Sequence, residues 1–516
     1  MDAIETDYLV IGAGAAGMAF VDALIAASDA EVVLVDRRHG PGGHWHDAYP
    51  FVRLHGPSAL YGVNSRRLGS DVIDRDGPNA GYYPRATAAE ICAYYQQVLD
   101  EQLLPSGRVR FFGMSDYSAG RDGHQFTSRL TGEATTIRVR RRVVDARYLE
   151  PSIPATHVPP FGIESGTRLI PVNDLVGLSS QASGFTILGG GKTAIDACLW
   201  LLGAGVPPDA IRWVRPRDPW LLDRAFQQPL ELLPRLIEGV SLYLEAAAQA
   251  GDLTDLFRRL EACGQLIRLD PGVEPATFRC ATVSQDELVS LRSIKNVIRL
   301  GRVTRIGPDQ IKLAGGSIPA DRGQVHVDCS AAGLRTKPAG PAFSDGLITL
   351  QQIRACQPVF SAALTGYIEA TRGDDARKNL ICPANQYPDA AADWVPLTYT
   401  AQRAEIIWAT DPDVSAWMQR SRLNATCGIG DHQGDPLMES ALARLFTNIE
   451  PAINKLETLM AGTDGGHCPP LGHAGSYQGG RIACCGNERR SSSGCWSRHA
   501  PDPESDLSER HVRSST

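Results

Sequence analysis

The chain has 516 residues, of which 43% are hydrophobic and 21% charged, with a formal net charge of −7 at pH 7. That length suits about three domains with ample core, at roughly 150 residues each. The balance excludes a wholly disordered, collagen-like or coiled-coil chain and leaves no basic footprint for nucleic acid.

Taken in chain order, Tyr8-Leu-Val-Ile11 predicts a strand, Met18 to Ile25 a helix and Glu31-Val-Val-Leu-Val35 a second strand closed by Asp36. Parallel strands joined through a helix sit in a buried sheet. Between the first strand and the helix lies Gly12-Ala13-Gly14-Ala15-Ala16-Gly17. In such a loop the first glycine permits the tight turn, the second lets backbone approach a pyrophosphate and the third lets helix pack on strand. The helix N-terminus offers free N–H groups to phosphate. Asp36, with Arg37 after it, stands where a carboxylate accepts from a ribose hydroxyl. The apolar run Tyr8–Ala27 contains three glycines and Asp22, so it reads as strand, turn and helix rather than a membrane span. The acidic start, Met-Asp-Ala-Ile-Glu, has the wrong sign for a signal peptide.

Residues 40–80 are irregular and begin with Gly40-Pro-Gly-Gly43-His44-Trp45, a second glycine pair able to wrap a pyrophosphate again. Residues 86–103 predict a helix, and 107–149 a small antiparallel strand set. A proline-rich linker at 151–162 leads to a second unit: strand Phe185–Leu188, loop Gly189-Gly190-Gly191-Lys192-Thr193-Ala194, helix to about Gly203, strand Ile211–Val214. The loop is the G-x-G-x-x-A variant. An NTPase phosphate loop would need glycine where Thr186 stands. The second strand ends in Arg215-Pro-Arg217 without an acid, which suits a 2′-phosphate and hence NADP. Residues 220–300 read as mostly helical, 297–330 as short strands and 358–460 as helices.

The tail 463–516 is dense in Gly, Ser, Arg and Pro, without apolar periodicity, and is predicted to be disordered. It holds Cys468, Cys484, Cys485 and Cys495 with four histidines, among them His467, His473 and His499, but no zinc-ligand spacing, so no metal site is expected. None of the 12 cysteines is spaced C-x-x-C. That pattern points to a reducing, cytoplasmic compartment and away from a dithiol-disulfide reductase.

Two dinucleotide units in one chain, with Gly42-Gly43-His44-Trp45…Tyr49-Pro50…Arg53, Pro57-Ser-Ala-Leu-Tyr61 and Tyr83-Pro84, resemble the flavin-containing and Baeyer–Villiger-type monooxygenases over about 1–460. The resemblance implies an α/β fold of two Rossmann-like dinucleotide-binding domains, the NAD(P) domain inserted in the FAD domain. The expected divisions are 1–150 for the first part of the FAD domain and 151–330 for the NAD(P) domain, carrying a helical insert at 220–300. The FAD domain and C-terminal helices would return over 331–462. The strand ending Ala331-Ala-Gly333 would bring the chain back. FAD would be held by the first loop, Asp36, Gly43, His44 and Trp45, with Arg53, Leu54 and Tyr61 near the isoalloxazine. Asn64 and Arg53 are the expected catalytic residues, and His44, His46 and His55 are further acid–base candidates. A helix beginning near Pro358 would point its N-terminus at the flavin. NADPH would reduce FAD, and O₂ would serve as co-substrate for a small molecule. The stretch before the second loop, Arg168-Leu-Ile-Pro-Val-Asn-Asp174, lacks the F-x-G-x-x-x-H fingerprint of these monooxygenases. Oxygenation of a substrate, delivery of electrons to another acceptor, and a non-catalytic flavin-binding module therefore all stay open.

Overall fold

The computed structural model describes residues 3–120 and 123–462. The expected disordered tail and its cysteines lie outside the described residues. The chain opens with β1 (Ile4–Ile11), α1 (Ala15–Ala26) and β2 (Val32–Val35). After an irregular stretch come α2 (Ala88–Val98), β3 (Val109–Phe112), β4 (Ser115–Gly120), β5 (Gly123–Ser128) and β6 (Ala134–Asp145). Next are β7 (Gly162–Ile163), β8 (Leu169–Pro171), β9 (Gly184–Leu188), α3 (Lys192–Gly203) and β10 (Ile211–Val214). A run of mixed elements follows: β11 (Pro219–Asp223), α4 (Leu233–Gln249), α5 (Leu253–Ala262), β12 (Ile267–Arg268), β13 (Thr277–Val283) and α6 (Gln285–Arg292). Then come β14 (Val297–Ile298), β15 (Val303–Ile306), β16 (Gln310–Leu313), β17 (Gly316–Pro319) and β18 (Gln324–Asp328). The chain finishes with β19 (Phe343–Ser344), β20 (Leu347–Thr349), α7 (Pro358–Thr371), α8 (Asp375–Ile381), α9 (Trp394–Thr410), α10 (Pro412–Arg420) and α11 (Pro436–Gly462).

Two parallel sheets organise these elements. The first runs β3-β2-β1-β6-β20, all parallel, with Leu9 registered between Val33 and Val143. The antiparallel meander β4-β5 hangs on the long strand β6, and β19 edges β20. The second sheet runs β14-β10-β9-β18-β8, again all parallel. Each carries centrally the strand that leads into its glycine loop, β1 in the first and β9 in the second, and ligands of doubly wound sheets sit outside the carboxyl ends of such strands. The strands are apolar runs buried on both faces: β2 and β9 have no exposed residue.

Around the first sheet, α1 and α7 pack in close approach. A Cβ on Gly366 would lie 2.5 Å from the Phe20 carbonyl oxygen, so only glycine lets the helices meet there. The run expected to be mostly helical differs. Its helices α4, α5 and α6 enclose a three-stranded sheet, β12-β11-β13. Trp220 of β11 and Phe278 of β13 anchor it in a core shared with Phe257, Trp394 and Leu456. A further small sheet, β17-β16-β15-β7, edges the second unit. Among the described residues no helix is long and apolar enough to cross a membrane.

Candidate functional site

The first glycine loop is built by contacts that leave no room for side chains. A Cβ on Gly17 would lie 2.0 Å from the Gly12 carbonyl oxygen, and one on Gly43 would lie 2.9 Å from the Gly14 Cα. The Gly40–Gly43 turn thus closes directly on the first loop, and the Gly42 N–H donates to the Ala13 carbonyl at 2.9 Å. Asp36 is buried at the tip of β2. Its carboxylate accepts from the Ala13 N–H at 2.7 Å and the Arg38 N–H at 2.8 Å, which leaves further lone pairs for a ligand hydroxyl. Helix α1 has Gly14 as N-cap and no side-chain cap. In contrast, α2 and α6 each carry a full capping box, Thr87–Glu90 and Ser284–Glu287. The first-turn N–H groups of α1, at Ala15 and Ala16, remain for a phosphate.

The second loop repeats the arrangement. Gly189 has φ +139°, and a Cβ there would lie 2.6 Å from the Cys329 carbonyl oxygen; one on Gly190 would lie 2.4 Å from that of Arg217. The Trp213 indole N–H donates to the Gly189 carbonyl at 2.7 Å and fixes the turn. Helix α3 likewise starts at an uncapped glycine, Gly191. Ala194 is fully buried against the sheet.

The segment between the loops joins them. Trp45 donates to the Tyr61 hydroxyl at 2.8 Å, Tyr61 meets Tyr95 edge-on, and Leu54 is buried. The Tyr49 hydroxyl then donates to Asp196 of α3 at 2.6 Å, and Phe51 stacks on Trp200 at 5.0 Å. Lys192 pairs with the other Asp196 oxygen. The same region holds a buried triad: Glu287 pairs with Arg85 at 3.1 Å and Arg224 at 2.5 Å. Burial alone would raise the Glu287 carboxyl, but the two guanidinium groups hold it below its usual value. His55 keeps an exposed face to solvent, with its ring partly desolvated by the protein around it. Burial, then Lys192, Arg85 and Arg224 against the opposing Asp196, push its imidazole down to about 4. His44 is also pushed down to about 4, by burial and then Arg38, opposed by Asp47. Both imidazoles are neutral at pH 7.

Other expected residues are placed differently. The Asn64 side-chain oxygen accepts from Ser421 at 2.9 Å, and its backbone N–H donates to Asp22 at 2.9 Å. Asn64 therefore braces the middle of α1 against the 421 segment. Arg53 is exposed and donates to the Arg85 carbonyl at 3.0 Å. Arg37 pairs with Glu150 at the surface. Arg217 pairs with Asp389 at 3.0 Å. Gly333, at φ +65°, pairs both ways with Ser152, tying the outgoing and returning linkers together.

Arg215 is buried, lies 4.7 Å over the Trp213 ring and pairs with Asp218 at 3.1 Å. It also lines a cavity of about 260 Å³ with Arg292, Lys295, Arg299 and the single carboxylate Asp270. Sequence reading missed Arg292, Lys295 and Arg299, because about 80 residues separate them from Arg215. Tyr49 and Asp196 were missed too. The only local signal was the i,i+4 spacing of Lys192 and Asp196. A disulfide between Cys280 and Cys356 also escaped the cysteine spacing, since 76 residues intervene.

Residues 10–67 match a family model described as an NAD(P)-binding Rossmann-like domain. Among solved structures, the chain is similar to an oxidized steroid monooxygenase bound to NADP (14% identity, 90% of this chain and 99% of that one, TM-score 0.45). It is also similar to an open cyclohexanone monooxygenase (15% identity, 81% and 99%, TM-score 0.47). The uncharacterized protein Rv2000 of Mycobacterium tuberculosis is 47% identical over 422 residues, 82% of this chain and 78% of that protein. The uncharacterized protein Mb2023 of Mycobacterium bovis matches to the same extent. With identity of that order over most of both lengths, the chain belongs to the family of these mycobacterial proteins.

Proposed function

We propose that the chain is an FAD-dependent oxidoreductase that draws electrons from NADPH and acts on a small molecule, in the manner of a flavin monooxygenase. The observation that carries this reading is the pair of uncapped, side-chain-free glycine cradles, linked through Tyr49 and Asp196. The first fits FAD: Asp36 would hold the ribose, the Gly40–Gly43 turn would double the pyrophosphate cradle, and Trp45 and Tyr61 would lie near the ring. Gln352, wholly buried between β20 and α7, has no partner among the described residues for either polar side-chain atom, as a residue awaiting a ligand does. The second fits NADPH, whose 2′-phosphate matches the cationic cavity of Arg215, Arg292, Lys295 and Arg299. FAD, when bound, supplies hydride acceptance and electron delivery to O₂. The protein's own part is to bind and orient. α7 would direct its N-terminal dipole toward the ring, while neutral His44 and His55 would offer hydrogen-bonding groups that carry no charge at pH 7.

A second reading, NADPH oxidation without substrate oxygenation, is favoured by the absent F-x-G-x-x-x-H fingerprint. Absorbance spectra before and after anaerobic NADPH test the proposal. Flavin bands that bleach support both cradles, and readmitted air with a candidate substrate separates oxygenation from simple oxidation. Protein that takes up no FAD on reconstitution defeats the proposal.

A further inference from the structure

The Cys280–Cys356 bond joins two segments that the backbone places in unusual conformations. Four non-glycine residues have positive φ among the described residues, and two of them are Cys280 (φ +55°) and Cys356 (φ +59°). L-residues rarely hold this region unless the surroundings force it, and such positions cluster at functional sites. Cys280 sits at the crest of a bulge in β13. Trp220 registers with Phe278 and Leu222 with Thr282, so Leu221 alone faces Arg279, Cys280 and Ala281. Bulges of this kind re-aim a side chain. Cys356 lies immediately before Gln357, the N-cap of α7. The Cα atoms are 6.2 Å apart, within the ordinary disulfide span.

The bond's neighbourhood lies at the chain's crossover. Arg279, inside the bulge, donates to the Ala332 and Leu334 carbonyls of the returning linker and pairs with Asp389 at 2.6 Å. The Phe278 N–H donates to the Asp389 carbonyl at 3.1 Å. On the other side, Gln352 and Arg354 precede Cys356 in the turn that leads from β20 into α7. The bond thus staples the run inserted after β10 to the turn beside the first cradle. The two sulfurs differ in access: Cys280 is 6% exposed, whereas Cys356 is half-buried.

We propose that Cys280–Cys356 is a reversible thiol-exchange site whose reaction partner is a low-molecular-weight thiol, entering at Cys356. The thiolate attacks the Cys356 Sγ, the S–S bond breaks, and Cys280 leaves as a thiolate that takes a proton. A second thiol then displaces the first as a symmetric disulfide and leaves Cys356 reduced. Two small thiols are oxidised and one protein disulfide is reduced. Opening the staple frees the bulge and the turn before α7 to relax, while the β13 hydrogen bonds to the 389–391 segment persist. The inference does not depend on the flavin reading.

The test uses the full chain, purified without reductant and incubated in the folded state with glutathione. Alkylation and peptide mass mapping are followed by amide hydrogen exchange. The cross-linked peptide is expected at the start, followed by a glutathione adduct on Cys356 rather than Cys280, then alkylation of both. Buried Cys198, Cys329 and Cys382 should stay unlabelled as a control for the intact fold. Exchange over 277–283 and 352–358 should rise by about tenfold or more, with α1 and β1 unchanged. Cys280→Ser should reproduce that exchange pattern without thiol. Alkylation of both cysteines before any thiol is added overturns the proposal. So does a bond that yields only after denaturation, or a reduced protein whose two segments exchange as before.

Discussion

Gly17 and Gly191 show how unequal the glycines of a dinucleotide loop are. A methyl group at Gly17 meets the Gly12 carbonyl oxygen at 2.0 Å, and the backbone has nowhere to go; at Gly191 nothing lies within 4 Å and φ is −88°. Gly17→Ala should therefore destabilise the protein by about 3 kcal/mol or more through overpacking. Gly191→Ala should stay within about 0.5–1 kcal/mol of the parent. Thermal melts of the two variants decide this, and equal melting temperatures would contradict the packing argument. The glycine pattern was legible from sequence because each position answers a local steric demand. His326 is the opposite case. It is buried in β18, its Nδ1 has no partner among the described residues, and burial, then Arg212, pushes its imidazole from 6.5 down to about 4. The native state stays neutral between those values while the unfolded chain takes up a proton. This contribution is fully present above pH 6.5 and is lost as the pH falls toward 4, by about 3 kcal/mol in all. His326→Leu should flatten that acid limb in denaturant titrations; an unchanged slope would place the lost stability elsewhere.

At the scale of elements, the strands and helices of both dinucleotide units could be read from their apolar runs and glycine punctuation, because those signals are short-range. The sheet β12-β11-β13 could not. Trp220-Leu-Leu222 is too short to tell strand from helix, and the partner strand β13 lies more than 50 residues away. The Asn64–Ser421 hydrogen bond was hidden for a similar reason, since the two residues are distant in sequence and only the fold brings them together. The packing of α7 on α1 is another long-range feature, and it rests on one small residue. Gly366→Ala sets a methyl 2.5 Å from the Phe20 carbonyl oxygen and forces the helices apart. The expected loss is about 1–3 kcal/mol. Because α1 opens the first cradle, weaker FAD retention on gel filtration should accompany it. Full stability with full FAD retention would show that the helices slide without consequence.

At the scale of the whole molecule, the question is how two cradles on separate sheets act together. The continuous path runs from the Gly40–Gly43 turn through Trp45 and Tyr49 to Asp196, one turn into the helix that opens the second loop. Burial, then the neighbouring Asp196 carboxylate, raises the Tyr49 phenol well above its usual value, so it stays a hydrogen-bond donor at every working pH. Removing only that hydroxyl leaves the Phe51–Trp200 stack and the Lys192–Asp196 pair to hold the interface. If the chain binds FAD as proposed, Tyr49→Phe should therefore keep its FAD content, since the phenol's hydrogen bond goes to Asp196 of α3. It should lower the rate of anaerobic flavin reduction by NADPH by about tenfold, the effect of losing one hydrogen bond to a charged group. If Tyr49 merely glues the two units, FAD content and stability would fall together and the reduction rate of the remaining holoprotein would match the parent. A selective loss of reduction rate, independent of pH between 6 and 9, would instead identify this bond as what aligns the second cradle on the first.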